Sequence, residues 1–326
     1  MTRRALVLGA GGFLGSHLCR HLLTRGWQVT GLVRDRTAPH VRARLHDCLH
    51  DLELVEGGAG DELVLDPLVV GRDAVFPMAG RSGAARSMHQ PLLDLAANGA
   101  AQLALLESLR RHAPDARSVF PGSRLQYGRV LEVPVAESAP VAPVSVYGVH
   151  KALGESYHLL YARVYGVQTC ALRISNPYGP GQDRPDAAFG VVGTFLAAAA
   201  QDRTIELFGG GHQLRDYVYV DDLCQLLEMA VTDPAAVGEV VNAGGPAATS
   251  LREMARTVVR TVGRGRVGDV PWPPEVEAIE TGDYVSDTGK ARALLGWQAT
   301  TSLDDGLRLT WDALQDDLAR GVAGGR

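Results

Sequence analysis

The chain opens with short apolar runs that alternate with longer stretches of helical periodicity. Aliphatic and β-branched runs at residues 5–8, 28–33, 52–55, 74–78, 118–120 and 169–174 predict strands. Between them, residues 13–24, 92–110 and 147–165 carry apolar positions three and four apart and predict helices. Strands alternating with helices imply a parallel sheet covered on both faces, the doubly wound α/β class.

After Asn176-Pro177-Tyr178-Gly179-Pro180-Gly181 the pattern loosens, with prolines and glycines around 177–190, 209–213 and 263–274. Helices at 223–231 and 251–262 and strands at 205–208 and 239–241 suffice for a smaller C-terminal α/β lobe. The expected division is residues 1–176 for a dinucleotide-binding lobe and 177–326 for a substrate lobe, with some later segments returning to the first. Ligands of such sheets bind beyond the carboxyl ends of the strands, so the cleft between the lobes is the predicted site.

At 326 residues the chain can bury a core without disulfides or metals. Its 32 Lys and Arg against 37 Asp and Glu give a net charge of -5 with no basic stripe, which points to a small substrate and away from nucleic acid or an anionic membrane. The apolar stretch 191–200 is far short of the ~20 residues that cross a bilayer. MTRRALVLGAGG runs straight into a strand without an apolar leader, so a cytoplasmic location is expected. The cysteines, 19, 48, 170 and 224, show no CxxC spacing, and neither a disulfide framework nor a metal site is expected.

Three features carry chemistry. "LGAGGFLG" sets Gly9, Gly12 and Gly15 between a strand and a helix. Glycine there allows a sharp bend, close approach to a pyrophosphate and tight helix–strand packing, while the helix start offers free N–H groups to the anion. "SVYGVHKALGE" places Tyr147 and Lys151 one turn apart on a helix face. Alone, the pair fits an exposed lysine packed beside an aromatic ring; beside a dinucleotide turn it fits a tyrosine base whose pKa an adjacent ammonium pulls down. In "VFPGSRLQYG", Ser123 ends a strand, either solvated in a turn or partnered by that pair.

Together with "LRISNPYGPGQ", "AGRSGAARSMHQP", "GGGHQLRDYVYVDDL" and "YVSDTGKARALLGW" in order, these features resemble the extended short-chain dehydrogenase/reductase family, in its nucleotide-sugar epimerase/dehydratase branch, over nearly the whole chain. The resemblance implies a Rossmann-type sheet and a Ser123/Tyr147/Lys151 catalytic triad. It places NAD on Gly9, Gly12, Phe13, Leu14, Gly15, Ala79 and Gly80, with Lys151 also holding a ribose. A nucleotide-diphosphate sugar would meet Ser123, Arg124, Asn176, Arg215 and Tyr284, with Tyr284 gating the sugar pocket. Asn98 would support the site from its helix. Arg215 could instead pair with Asp216 or Asp221. A homodimer is expected through helices that include Val149, Leu153, Leu160, Tyr161 and Val164, unless those residues are buried against their own sheet.

The pattern is broken in places. The acid that usually takes the adenosine ribose is replaced by Val33, and Arg34 follows, which could meet the 2′-phosphate of NADP. An aspartate near the adenine is replaced by Gly58, and a count back from Asp287 puts Glu277 where a phosphate-binding arginine is common. The family's dehydratases carry an Asp-Glu pair where this chain has Arg124 and Leu125, neither of which can serve as the acid and base of an elimination. The same turn weakens a decarboxylase reading. What remains is a C4-type epimerase, an NADPH-dependent ketoreductase of a keto-deoxysugar, or a silent nucleotide sensor, against which the intact triad argues.

Overall fold

β1 (Arg4–Leu8) lies inside a seven-stranded sheet with β2 (Gln28–Val33), β3 (Leu52–Glu56), β4 (Ala74–Pro77), β5 (Arg117–Ser123), β6 (Thr169–Ile174) and, from much later in the chain, a strand at Val240–Ala243. A computed structural model describes residues 2–182 and 190–319; residues 183–189, part of the irregular stretch, lie outside it. Two short strands, β7 (Asn176–Tyr178) and β8 (Thr204–Phe208), and β9 (Leu214–Tyr219) precede the late strand, which is therefore β10; β11 (Ala248–Ser250) and β12 (Arg266–Val270) follow. The large sheet runs β10-β6-β5-β4-β1-β2-β3 with every neighbour parallel. Strand order reverses between β1 and β4, the switch point at which such sheets open a crevice. The Rossmann-type expectation holds, and β10 is a segment that returns to the first lobe.

Burial on both faces explains the near-continuous apolar runs. Ala5, Val7, Phe76, Val119 and Leu172 face one core, shared with the helices Phe13–Thr24 and Val220–Thr232. Leu6, Leu8, Leu32 and Val75 face another, shared with Leu105, Leu109 and Tyr161. The helix expected over 92–110 is interrupted: Pro91–Leu95 and Ala101–His112 are α-helical, and Ala96–Ala100 between them form a π-helical turn. Such turns recur at functional positions, and this one holds Asn98. Helices at Val191–Ala200 and Leu303–Ala319 were missing from the sequence pattern. The first is apolar on nearly every side, which leaves no periodicity to read.

β7 follows β6 after a single residue, Ser175, and pairs with β9, which pairs in turn with β11. The chain thus crosses from the large sheet into the small one without a loop. Because Ser123 pairs with Ile174, the crossing sets Asn176 beside the residue that follows Ser123. No helix among the described residues is long and apolar enough to cross a membrane.

Candidate active site

At the carboxyl end of β1, Gly9 has φ +80°, and a Cβ there would lie 2.7 Å from the Ala79 Cα. A Cβ on Gly15 would collide with the Gly9 carbonyl. Both positions need glycine. Gly12 caps the Phe13–Thr24 helix without any side-chain cap, and its first turn holds no acid, so the helix start keeps free donors for an anion. A cradle closed to side chains and lined by such donors fits the pyrophosphate of a dinucleotide. Ala79 and Gly80 border it, pinned by Asn98, whose amide donates to the Arg81 carbonyl at 2.9 Å and accepts from the Arg81 N–H at 3.3 Å. At the end of β2, Val33 is buried. Arg34 is exposed, while Asp35 is occupied in accepting from the Thr37 N–H and hydroxyl at 2.7 and 2.6 Å.

Ser123 is the last residue of β5 and the N-cap of a 3-10 turn over Arg124–Gln126. Its hydroxyl accepts from the Leu125 N–H at 3.2 Å, and its own N–H donates to the Gln126 Oε1 at 2.7 Å. This capping box is why the strand stops there. Gln126 in turn donates to Glu155 at 2.7 Å, and Glu155 takes two bonds from Arg173 at 2.9 and 2.6 Å. Ser123 is thereby held by a buried polar chain reaching the Val146–Tyr165 helix and β6.

That helix carries Tyr147 and Lys151 towards Ser123. A Cβ on Gly154 would lie 2.7 Å from the Phe120 ring and one on Gly148 2.5 Å from the Leu125 carbonyl, so the glycines let the helix seat on β5. The Tyr147 side chain lies beside Ser123. Burial pushes Tyr147 up to about 12; Ser123 opposes this, Asp94 adds to it, and Arg124 opposes it. The expected depression by Lys151 is absent. Its ammonium donates to the Pro121 carbonyl at 2.7 Å and sits 5.8 Å from the Tyr147 ring centroid. Burial lowers Lys151 itself to about 8, with Asp94 opposing. The three residues thus come together at the carboxyl end of β5.

On the other side of the cleft, the Arg124 Nε donates to the Asn176 Oδ1 at 3.2 Å and its Nη1 to the Thr281 hydroxyl at 3.1 Å. Asn176 is fixed by donating to the Asp216 carbonyl at 2.9 Å. Arg215 is buried, bound to Glu280 at 2.6 Å and to the carbonyls of Leu214 and Gly282. Neither Asp216 nor Asp221 is its partner. Asp216 instead accepts from Ser175 and from the N–H groups of Gly245 and Ser286. Tyr284, expected to gate the sugar pocket, is 1 % exposed, its ring packed at a tilt 5.9 Å from that of Tyr127 and beneath the Arg124 guanidinium. Its large apolar ring is better buried than displayed.

A family model described as "NAD dependent epimerase/dehydratase family" matches residues 5–244. The chain belongs to that family. It is 32 % identical over 320 residues to a UDP-glucose 4-epimerase of Mycolicibacterium smegmatis, covering 94 % of this chain and 97 % of the other. A UDP-glucose 4-epimerase from Thermotoga maritima, solved with UDP-glucose, is 27 % identical with a TM-score of 0.85, covering 97 % and 99 %. A mutant UDP-glucuronic acid 4-epimerase from Bacillus cereus, solved with a fluorinated UDP-sugar and NAD, is 25 % identical with a TM-score of 0.85, covering 96 % and 99 %. The protein is thus an enzyme of the NAD-dependent nucleotide-sugar epimerase/dehydratase family.

For this member of the family, sequence reasoning passed over Gln126, Glu155 and Arg173. The S-x-x-Q spacing of a capping box was there to be read at 123–126. Glu155 and Arg173 carried no such signal, because they meet only through the packing of a helix on β5 and β6.

Proposed function

We propose that the protein is a C4 epimerase of a nucleotide-activated hexose, with UDP the nucleotide named for its relatives. The reading rests chiefly on one observation: Ser123 and Tyr147 come together at the end of β5, and the turn that follows Ser123 holds Arg124 and Leu125 and no carboxyl group. NAD, when bound, supplies the acceptor for the C4 hydride and returns it at the end, leaving the coenzyme unchanged. Tyr147 takes the O4 proton as C4 is oxidised and gives it back as the carbonyl is reduced on its opposite face. Ser123 holds that oxygen throughout, its own position set by Gln126. The glycine turn and residues 79–80 hold the coenzyme, Lys151 its ribose, and residues from 177 on, with Asn176, take the sugar nucleotide. Without a carboxyl group beside Ser123, elimination of water has no protein acid or base in this turn.

A second reading, reduction of a keto-sugar by NADPH, is favoured by Arg34, exposed beyond β2 where an acid would repel a 2′-phosphate. The readings separate on the coenzyme that purified protein carries. Denaturing it should release close to one NAD per chain. Protein that arrives empty and consumes NADPH only with a keto-sugar would overturn the epimerase. Tyr147→Phe should keep the coenzyme and lose turnover by at least ~100-fold, the low end for one acid–base group.

The exposed Val149, Leu160 and Val164 lie on the helix that carries Tyr147, near exposed Met88, Leu92 and Leu93. This apolar surface supports a homodimer. Leu153 and Tyr161 of the same helix turn further inward and are less exposed.

A further inference from the structure

Among the described residues, Arg124 is a cation bonded to no carboxylate. Its side chain bonds only to the neutral oxygens of Asn176 and Thr281 among the described residues, at 3.2 and 3.1 Å, and its Nη2 has no partner there. The nearby acids are already committed: Glu280 to Arg215, and Asp216 to Ser175 and to the N–H groups of Gly245 and Ser286. Burial, together with the like charge of Arg215, holds Arg124 down at about 10. A chain keeps such a charge at a cost in stability, and an anionic ligand removes that cost.

Position within the cleft narrows the choice of anion. Arg124 directly follows Ser123, which with Tyr147 holds the reacting C4 oxygen in the reading above. On a pyranose ring C1, which bears the diphosphate, lies across from C4. The exocyclic carbon of C5 lies beside C4. A carboxylate at that carbon offers a planar pair of oxygens to a guanidinium fork, whereas a hydroxymethyl group leaves the charge unmet. The geometry points to a UDP-linked hexuronate as the substrate, with its C6 carboxylate bound by Arg124. Tyr284 backs the guanidinium from below, 5.5 Å from the ring centroid, and Asn176 and Thr281 fix its plane. This assignment rests on the reading of the protein as an epimerase of a nucleotide sugar.

The test is calorimetric binding of UDP-glucuronic acid and UDP-glucose, which differ only at C6, to the coenzyme-loaded protein and to Arg124→Gln and Arg124→Lys. Wild type should hold the uronate at least about 10-fold more tightly, the low end for one bidentate charged pair. Arg124→Gln should erase that preference by weakening the uronate far more than UDP-glucose, and Arg124→Lys should restore part of it. Equal affinities in wild type, which need no variant to fold, overturn the assignment. So does a preference that survives in Arg124→Gln. A variant that weakens both ligands alike assigns Arg124 to the diphosphate and also overturns it. If UDP-glucose binds and turns over while the uronate does not, the epimerase stands and the uronate falls; if neither binds, both fall.

Discussion

Arg173 and Arg124 sit over two neighbouring tyrosines of one cluster and have opposite fates. Arg173 lies 4.6 Å over Tyr127 and Arg124 5.5 Å over Tyr284, with the two rings 5.9 Å apart. Burial alone would lower the pKa of Arg173, but its paired bonds to Glu155 outweigh burial and raise it. Arg124 is bonded to no acid among the described residues, and burial lowers its pKa. A closed pair belongs to the scaffold that sets Ser123 in place. An open charge beside Ser123 is the one that the proposed uronate would meet.

The largest effect should come from opening the closed pair. Glu155→Gln leaves Arg173 buried without its counter-charge and should cost about 3–5 kcal/mol in denaturant unfolding. A loss under about 1 kcal/mol would mean that the pair is not structural. The open arginine should answer in the opposite way: Arg124→Met keeps the stem packed on Tyr284, removes an uncompensated charge, and should leave stability unchanged or raise it by about 1 kcal/mol. Destabilisation as large as that of Glu155→Gln would erase the distinction.

A buried base that stays neutral offers a third case. His158 is bonded to Thr169 at 2.6 Å and Gln102 at 3.2 Å, and burial, with the Lys151 charge, pushes it down to about 3. Between its ordinary value of 6.5 and about 3 the unfolded chain binds a proton that the folded chain refuses. This term therefore favours folding in full above 6.5 and is lost as pH falls, by roughly 1.4 kcal/mol per unit. Melting followed across that window should flatten in His158→Gln; an unchanged slope would remove His158 as its source. A modest effect should appear at the cap, where Gln126→Ala should cost about 1 kcal/mol and lower kcat more than it raises KM.

The parts of the site legible from the chain were those written in local spacing. Gly9, Gly12 and Gly15 sit in one turn, and Tyr147 and Lys151 on one helical face, so neighbours in sequence are neighbours in space. Arg173 with Glu155, and Arg215 with Glu280, pair only after β6 and β9 take their places, and nothing local marks them. The surroundings of Tyr284 were hidden for the same reason: nothing local shows that it packs against Tyr127 beneath Arg124. The strand register was equally hidden, although it alone brings Asn176 to the Ser123 turn. Strand and helix order survived because both faces of the large sheet are buried, which leaves its period plain.

The central claim is that Ser123 and Tyr147 serve an oxidation and a reduction at one carbon within a single turnover. Proton NMR of a UDP-hexose or UDP-hexuronate incubated with purified protein, without added coenzyme or reductant, tests it directly. The C4 epimer should grow in to a fixed ratio from either direction and fail to appear with Tyr147→Phe. A spectrum that stays unchanged across these sugars, while NADPH is consumed against a 4-keto-sugar, would contradict it.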